Sequence, residues 1–407
     1  MSLRDDATSM ADELVQLRHE LHQEPEIGLT LPKTQARVLA ALDGLPLEVS
    51  TGTRTTSVTA VLRGTGRAGT QSETPTVLLR GDMDALPVTE RADVPYRSRI
   101  DGAMHACGHD LHTTMLIGAA RLLAAHRDQL EGDVVLMFQP GEEGWDGAGV
   151  MIEEGVLDAA GRRADAAFGL HVFSAVAPHG AFLTRPGTMM SASDELRATV
   201  QGAGGHGSTP HRAKDPVPAV AEVVMALQAM VTRQFDIFDP VVVTVGQLHA
   251  GTTSNVIPDD AYLEATVRTF SEESQERMAE AAPRLVRQVA AAHGLEASVE
   301  YLRSYPVTVN DVDETAFAAK TVAEVFGPAR QVDLAAPLGG SEDFSRVLQN
   351  VPGSFLFLGA VPPGQDPATA PMNHSPLATF DDSVLPDGAT LYAELAVRRL
   401  AQLAATR

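Results

Sequence analysis

Short apolar runs and longer helical patterns alternate along the chain. Residues 76–80 (TVLLR), 133–139 (DVVLMFQ) and 166–172 (AAFGLHV) are nearly continuous apolar runs, as expected of strands buried on both faces. Leu14, Leu17 and Leu21 recur at helical spacing and predict an amphipathic helix over 9–22, started by Thr8 or Ser9. A second helix is predicted over 110–126, with Met115, Ala119, Leu122 and Leu123 on one face. Strands alternating with helices predict an α/β domain with a largely parallel sheet. Between 187 and 303 the order changes to strand 194–201, helix 215–233, strand 240–248, strand 259–270, helix 272–293 and strand 296–303. That is β-α-β-β-α-β, the ferredoxin-like order. Helix 313–326, strand 354–360 and a helix near 384–404 then resume the first pattern. The expected organisation is a discontinuous α/β domain, 1–186 and 304–407, carrying an inserted α+β domain at 187–303. The Gly/Thr/Ser-rich stretch 63–75 reads as an exposed loop.

Composition narrows the function more than the fold. A chain of 407 residues has room for two or three domains. No stretch approaches the roughly 18 apolar residues of a membrane helix. The N-terminus MSLRDDATSM lacks the basic and apolar regions of a secretory signal. The net charge of −22 argues against nucleic acid and anionic membranes as partners. An anionic substrate would then need a local Arg or Lys. The single cysteine, Cys107, cannot form an internal disulfide, so a cytoplasmic setting is expected. Two G-x-G-x-x-G matches, 64–69 and 202–207, do not join a strand directly to a helix, so a dinucleotide site is not expected.

Candidate chemistry collects after the strands. Asp82 and Asp84 follow 76–80, Glu142 and Glu143 follow 133–139, His171 ends 166–172, and His374 lies in the loop after 354–360. Ligands of open α/β sheets bind outside the carboxyl ends of the strands, so these groups would converge. Adjacent carboxylates repel, and burying them together requires a cation. Cys107 and His109, two apart before a helix, offer a thiolate and an imidazole, which suit zinc, while the carboxylates tolerate manganese or cobalt. Each residue has a bland alternative. Asp82 or Asp84 alone would be a turn or cap, Glu142–Glu143 a charged loop, and Cys107 an inert core thiol. His105 and His112 could be helix-start and surface residues. His19 and His22 lie three apart on a helix without a neighbouring carboxylate motif, and a structural role is favoured for them.

The joint pattern resembles the aminoacylase/carboxypeptidase metallopeptidase family, in the branch of hippurate hydrolases, N-acyl-L-amino-acid amidohydrolases and plant auxin-conjugate hydrolases. The segments that carry it are 18–29 (RHELHQEPEIGL), 78–88 (LLRGDMDALPV), 104–120 (MHACGHDLHTTMLIGAA), 138–155 (FQPGEEGWDGAGVMIEEG), 169–172 (GLHV), 204–211 (GGHGSTPH), 254–270 (SNVIPDDAYLEATVRTF), 339–344 (GGSEDF) and 373–376 (NHSP). The resemblance implies two divalent ions, manganese, zinc, cobalt or nickel, held by Cys107, His109, Glu143, His171 and His374. It implies Glu142 as the catalytic carboxylate and a catalytic domain with an inserted lid used for dimerisation. His206 would stabilise the oxyanion, and Asn255 and Arg268 would grip the substrate carboxylate, Arg268 through its guanidinium fork. Gly339 and Gly340 would let backbone approach the ligand. The wider family carries H-x-D where this chain has Asp82-x-Asp84, which leaves open whether Asp82 touches metal; Asp84 would orient a ligand. Plain alternatives are a loop histidine for His206 and a surface ion pair for Arg268. Trp145 has two equal readings, an acyl pocket or the core.

The expected activity is hydrolysis of the amide bond of N-acyl amino acids by a homodimer or higher oligomer paired through the lid. The rival within the family is a dipeptidase or metallocarboxypeptidase. Outside enzymes, it is an amino-acid-conjugate binding protein, against which a free carboxylate beside the metals argues. A redox role for Cys107 lacks a second cysteine.

Overall fold

The computed structural model describes residues 2–66 and 74–406. The central part of the expected 63–75 loop, 67–73, lies outside the described residues. The chain divides into two compact units. The first comprises Met1–Gly187, Val309–Ala336 and Arg346–Arg407, and the second Thr188–Thr308 with Pro337–Ser345.

Strands are numbered here along the chain. The first unit begins with β1 (Leu47–Thr51), β2 (Val58–Arg63), β3 (Thr76–Asp82), β4 (Asp133–Gln139), β5 (Ala166–Phe173) and β6 (Phe182–Thr184). The second holds β7 (Ser193–Gln201), β8 (Val241–Ala250), β9 (Asp260–Thr269) and β10 (Glu296–Tyr305), and the chain returns to the first through β11 (Gln331–Asp333) and β12 (Gly353–Gly359). The eight-stranded sheet runs β1-β2-β4-β3-β5-β12-β6-β11. Its centre, β4-β3-β5-β12, is parallel. Antiparallel pairs flank it at β1-β2-β4 and at β12-β6. The four central strands are buried along their whole length, which is why they read as continuous apolar runs. Their parallel alignment brings the chain segments after them to one end of the sheet.

Helix His109–Ala125 is buried nearly all round and packs against Leu385–Ala405 and Ala11–Gln23. The approach is close: a Cβ on Gly118 would stand 2.8 Å from Ala389 Cβ. The N-terminal region corrects the single helix expected over 9–22. Leu3–Ser9 is a separate helix capped by a Ser2–Asp5 capping box, and Ala11–Gln23 starts at Met10 without a side-chain cap. Ser9 therefore ends a helix instead of starting one.

In the second unit the sheet runs β8-β9-β7-β10, antiparallel throughout. Alternate residues of β7 and β9 are buried. Leu196, Ala198, Val200, Leu263 and Val267 pack under helices Val217–Gln234 and Glu272–Ala292. This is the ferredoxin-like arrangement. No helix among the described residues is long and apolar enough to cross a membrane.

Candidate metal centre

Six residues from three strand ends and one helix start meet in the first unit. Helix His109–Ala125 begins immediately after Gly108, which sits at φ 87°. A Cβ at Gly108 would lie 2.4 Å from Val172 Cγ2, so glycine alone fits between Cys107 and His109. Cys107 Sγ lies 3.3 Å from His171 Nε2 and 3.2 Å from His374 Nε2. Glu143 Oε1 is 3.1 Å from His374 Nε2 and 4.0 Å from His109 Nε2. Glu142 Oε2 is also 4.0 Å from His109 Nε2. Cys107, His109 and His171 form one set of converging donor atoms, Cys107, Glu143 and His374 a second, and His109, Glu142 and Glu143 a third.

These donors fit divalent ions. Among the described residues neither ring nitrogen of buried His109 has a well-aligned hydrogen-bond partner, an expensive state for polar atoms without a ligand. His171 donates Nδ1–H to the Val172 carbonyl at 2.9 Å, which leaves Nε2 bare toward Cys107. Burial, and then the neighbouring His112, hold the His171 imidazole well below its ordinary pKa, so it is neutral, as a ligand must be. His374 has φ 71°, unusual for a residue with a side chain. Its N–H donates to Ala106 O at 2.9 Å. Hydrogen bonds to Cys107 and Glu143 push its pKa up to about 10.

A layer of buried polar groups fixes these side chains. Asp84 accepts the backbone N–H of Glu142 at Oδ1 and of Glu143 at Oδ2, each at 3.0 Å, and Oδ1 is 3.4 Å from His109 Nδ1. One carboxylate therefore sets both glutamates against the histidine. Asp82 binds His112 Nδ1 through Oδ1 and Arg80 through Oδ2, both at 2.6 Å. Burial raises the Asp82 carboxyl, but Arg80, His109 and His112 more than offset it and hold it well below the usual range. His112 Nε2 accepts the Val172 N–H at 2.8 Å, so both of its nitrogens are committed and it is not a ligand. His112 is fully buried, which rules out the surface alternative, and His105 is buried too. Burial holds the His105 imidazole down to about 3.

Sequence reasoning overlooked Arg80 and Asn373. Asn373 Nδ2 donates to the carbonyls of Cys107 (3.1 Å) and Val172 (2.9 Å), tying the His374 loop to two other ligand segments. Its signal was its place beside His374; that of Arg80 was a charge within an apolar strand. His22 and His19 stand outside the cluster. His22 Nδ1 binds Asp110 Oδ2 at 2.8 Å, where Arg18 Nε also donates at 2.7 Å, and His19 pairs with Asp382 at 2.7 Å.

His206, Asn255, Arg268 and Gly340 all belong to the second unit. His206 pairs with Val256 across a short ribbon, and the Gly207 N–H donates to Asn255 O at 2.8 Å, so His206 and Asn255 are neighbours. The Ser208 N–H donates to His206 Nδ1 at 3.2 Å, which places the proton of neutral His206 on Nε2. Arg268 is half-buried and donates to Ser341 Oγ at 3.2 Å. Burial lowers its pKa against the opposing charge of Asp194. The Gly339 and Gly340 carbonyls accept Ser191 Oγ at 2.9 and 3.0 Å.

Residues 78–398 match the model of peptidase family M20/M25/M40. The chain belongs to that family. It is 36% identical to thermostable carboxypeptidase 2 of Saccharolobus solfataricus over 400 residues, 97% of this chain and 98% of that protein. It is 37% identical to IAA-amino acid hydrolase ILR1-like 4 of Arabidopsis thaliana over 399 residues, 97% of this chain and 87% of the relative. Among solved structures, Bacillus subtilis YXEP, described as a dinuclear metal binding peptidase from this family, superposes with TM-score 0.81 at 30% identity, covering 97% of this chain and 99% of that one.

Proposed function

We propose that this M20-family chain is a metal-dependent amidohydrolase that cleaves N-acyl amino acids to a carboxylic acid and a free amino acid. The observation that carries the reading is the converging set Cys107, His109, Glu143, His171 and His374, with Glu142 beside it and with His109 ring nitrogens that lack a well-aligned hydrogen-bond partner among the described residues. These five side chains would hold two divalent ions. When bound, the ions polarise the amide carbonyl and acidify the attacking water.

The chain's own residues do the rest. Glu142 takes a proton from the water and returns it to the departing nitrogen. Asp84 keeps Glu142 and Glu143 in register by binding both backbone N–H groups. His206 donates Nε2–H to the carbonyl oxygen as charge develops there. Arg268 and Asn255 bind the substrate carboxylate, Arg268 as a half-buried cation whose partner among the described residues is a neutral hydroxyl. Gly340 leaves backbone open to the same group. A thiolate with three imidazoles favours zinc, cobalt or nickel, and the carboxylate admits manganese. A cytoplasmic setting keeps Cys107 reduced. The second unit, whose sheet has β8 and β10 as its outer strands, pairs two chains as a dimer.

The similarity to a carboxypeptidase favours a second reading, cleavage of a C-terminal peptide bond by the same groups. Release of free amine from N-acetyl-amino acids, N-benzoyl-amino acids and dipeptides by the metal-loaded protein separates the two. Faster turnover of the acyl substrates supports the proposal; turnover confined to peptides replaces it with the second reading.

A further inference from the structure

The chain has one tryptophan, Trp145, and its relative exposure of 54% excludes a core role. It lies two residues beyond Glu143, in the loop after β4. The indole rests on the backbone of Gly28. A Cβ there would fall 3.2 Å from Trp145 Cε2 and 3.5 Å from Cδ2, and Gly28 has φ 81°, so both space and conformation require glycine. That segment is fixed to the end of β3, because the Ala85 N–H donates to Glu26 O at 2.8 Å and Ile27 bridges Ala85. A Cβ at Gly141 would stand 2.5 Å from Leu29 Cδ2 and 3.1 Å from Trp145 Cβ. Beyond the indole, Asp146 at φ 55° accepts from Arg346 Nε at 2.6 Å. A large flat ring is thus backed by main chain and pinned on both sides, with over half its surface left to solvent. The support fixes the orientation of the exposed face, on which another flat ring can stack.

A second exposed apolar residue, Met372, lies as close in sequence to His374 as Trp145 does to Glu143. Glu143 Oε1 and His374 Nε2 are 3.1 Å apart. Trp145 lies two residues from Glu143, and Met372, 50% exposed, lies two residues from His374. The amino-acid end of an N-acyl amino acid carries a carboxylate and goes to Arg268. The acyl end is uncharged and needs an apolar surface beside the metal ligands.

We propose that Trp145 is the specificity-determining residue for the acyl group, its supported indole stacking on a flat aromatic acyl group, so that N-aroyl amino acids are preferred over N-acetyl amino acids. The inference rests on the hydrolase reading above and names its substrate class. Offset stacking of aromatic rings supplies the preference, beyond the area buried.

The test compares N-benzoyl and N-acetyl derivatives of one amino acid. In Trp145→Ala the ratio of their kcat/KM values falls about tenfold or more, mainly through KM of the benzoyl substrate, and Trp145→Phe restores most of it. Because Trp145 is the only tryptophan, its emission reads the same contact without turnover. In a Glu142→Gln protein, N-benzoyl amino acid shifts that emission saturably and N-acetyl amino acid does not. An unchanged ratio in Trp145→Ala, or emission unmoved by saturating N-benzoyl amino acid, overturns the proposal. An emission response without hydrolysis of either compound by the wild type overturns the hydrolase reading and leaves the stacking contact standing.

Discussion

Asp84 and Arg268 carry opposite charges in different units and are held in opposite ways. Asp84 is buried, and each of its oxygens accepts a backbone N–H from the glutamate pair. Arg268 is half-buried and donates to one hydroxyl. The contrast extends to their neighbours. Asp82, His112 and Val172 form a buried chain of hydrogen bonds behind the proposed metal ligands, whereas His206 and Asn255 are exposed on a two-stranded ribbon. Groups that must keep one geometry through a reaction are fixed by several bonds before substrate arrives. Groups that recognise a substrate keep bonding capacity for it. The first kind should fail by losing metal or rate, and the second by losing affinity.

The comparison is broken most sharply at Glu142. Glu142→Gln should lower kcat by about 10²–10⁴-fold, with bound metal, measured by elemental analysis, as in the wild type. A protein that loses metal instead would make Glu142 a ligand. Next in size is Asp84→Ala, which frees two backbone N–H groups and the His109 ring. Metal affinity by calorimetry should weaken by about 10–100-fold. Arg268→Ala should act on binding, raising KM by about 10–100-fold with kcat little changed, as steady-state kinetics would show. An equal fall in kcat would move Arg268 to the fixed side of the comparison.

The smallest effect is a proton. His374, pushed up to about 10, is protonated in the metal-free protein at neutral pH. His109 adds to this: burial pulls it down, but Asp82, Asp84 and Cys107 together more than offset that and raise it well above its usual value. Ligation needs neutral rings, so metal loading at pH 7 should release at least one proton. Apparent metal affinity should rise with pH, and the His374 share should fade as pH passes about 10. Calorimetry in buffers of different ionisation enthalpy measures the release.

The central strands and the ferredoxin-like unit were legible because burial on two faces, or on one, leaves period-specific apolar patterns. Strand 166–173 is continuous in sequence and wholly buried; β7 alternates in both. Strand β1 (LEVST) was not legible, because it is an exposed edge with little apolar content. The break at Met10 escaped notice because Leu14, Leu17 and Leu21 keep their period past it. At the site, residue types and strand ends pointed to Asp84, Cys107, His109, Glu142, Glu143, His171 and His374. The burial of His105 and His112 was hidden, since nothing local shows that the fold covers both the segment before this helix and its first turn. Trp145 needed coordinates as well, because only the Gly28 contact and its exposure separate a platform from a core residue.

The most direct test of the central claim is to count metal and activity together. Purified protein is stripped with chelator, titrated with zinc, manganese, cobalt or nickel, and assayed for free amine from an N-acyl amino acid at each step. The account predicts activity lost on chelation and restored as about two ions bind per chain, with neither result obtained in a His109→Ala, His171→Ala double variant. Hydrolysis that survives complete removal of metal, or full activity in the double variant, would contradict it.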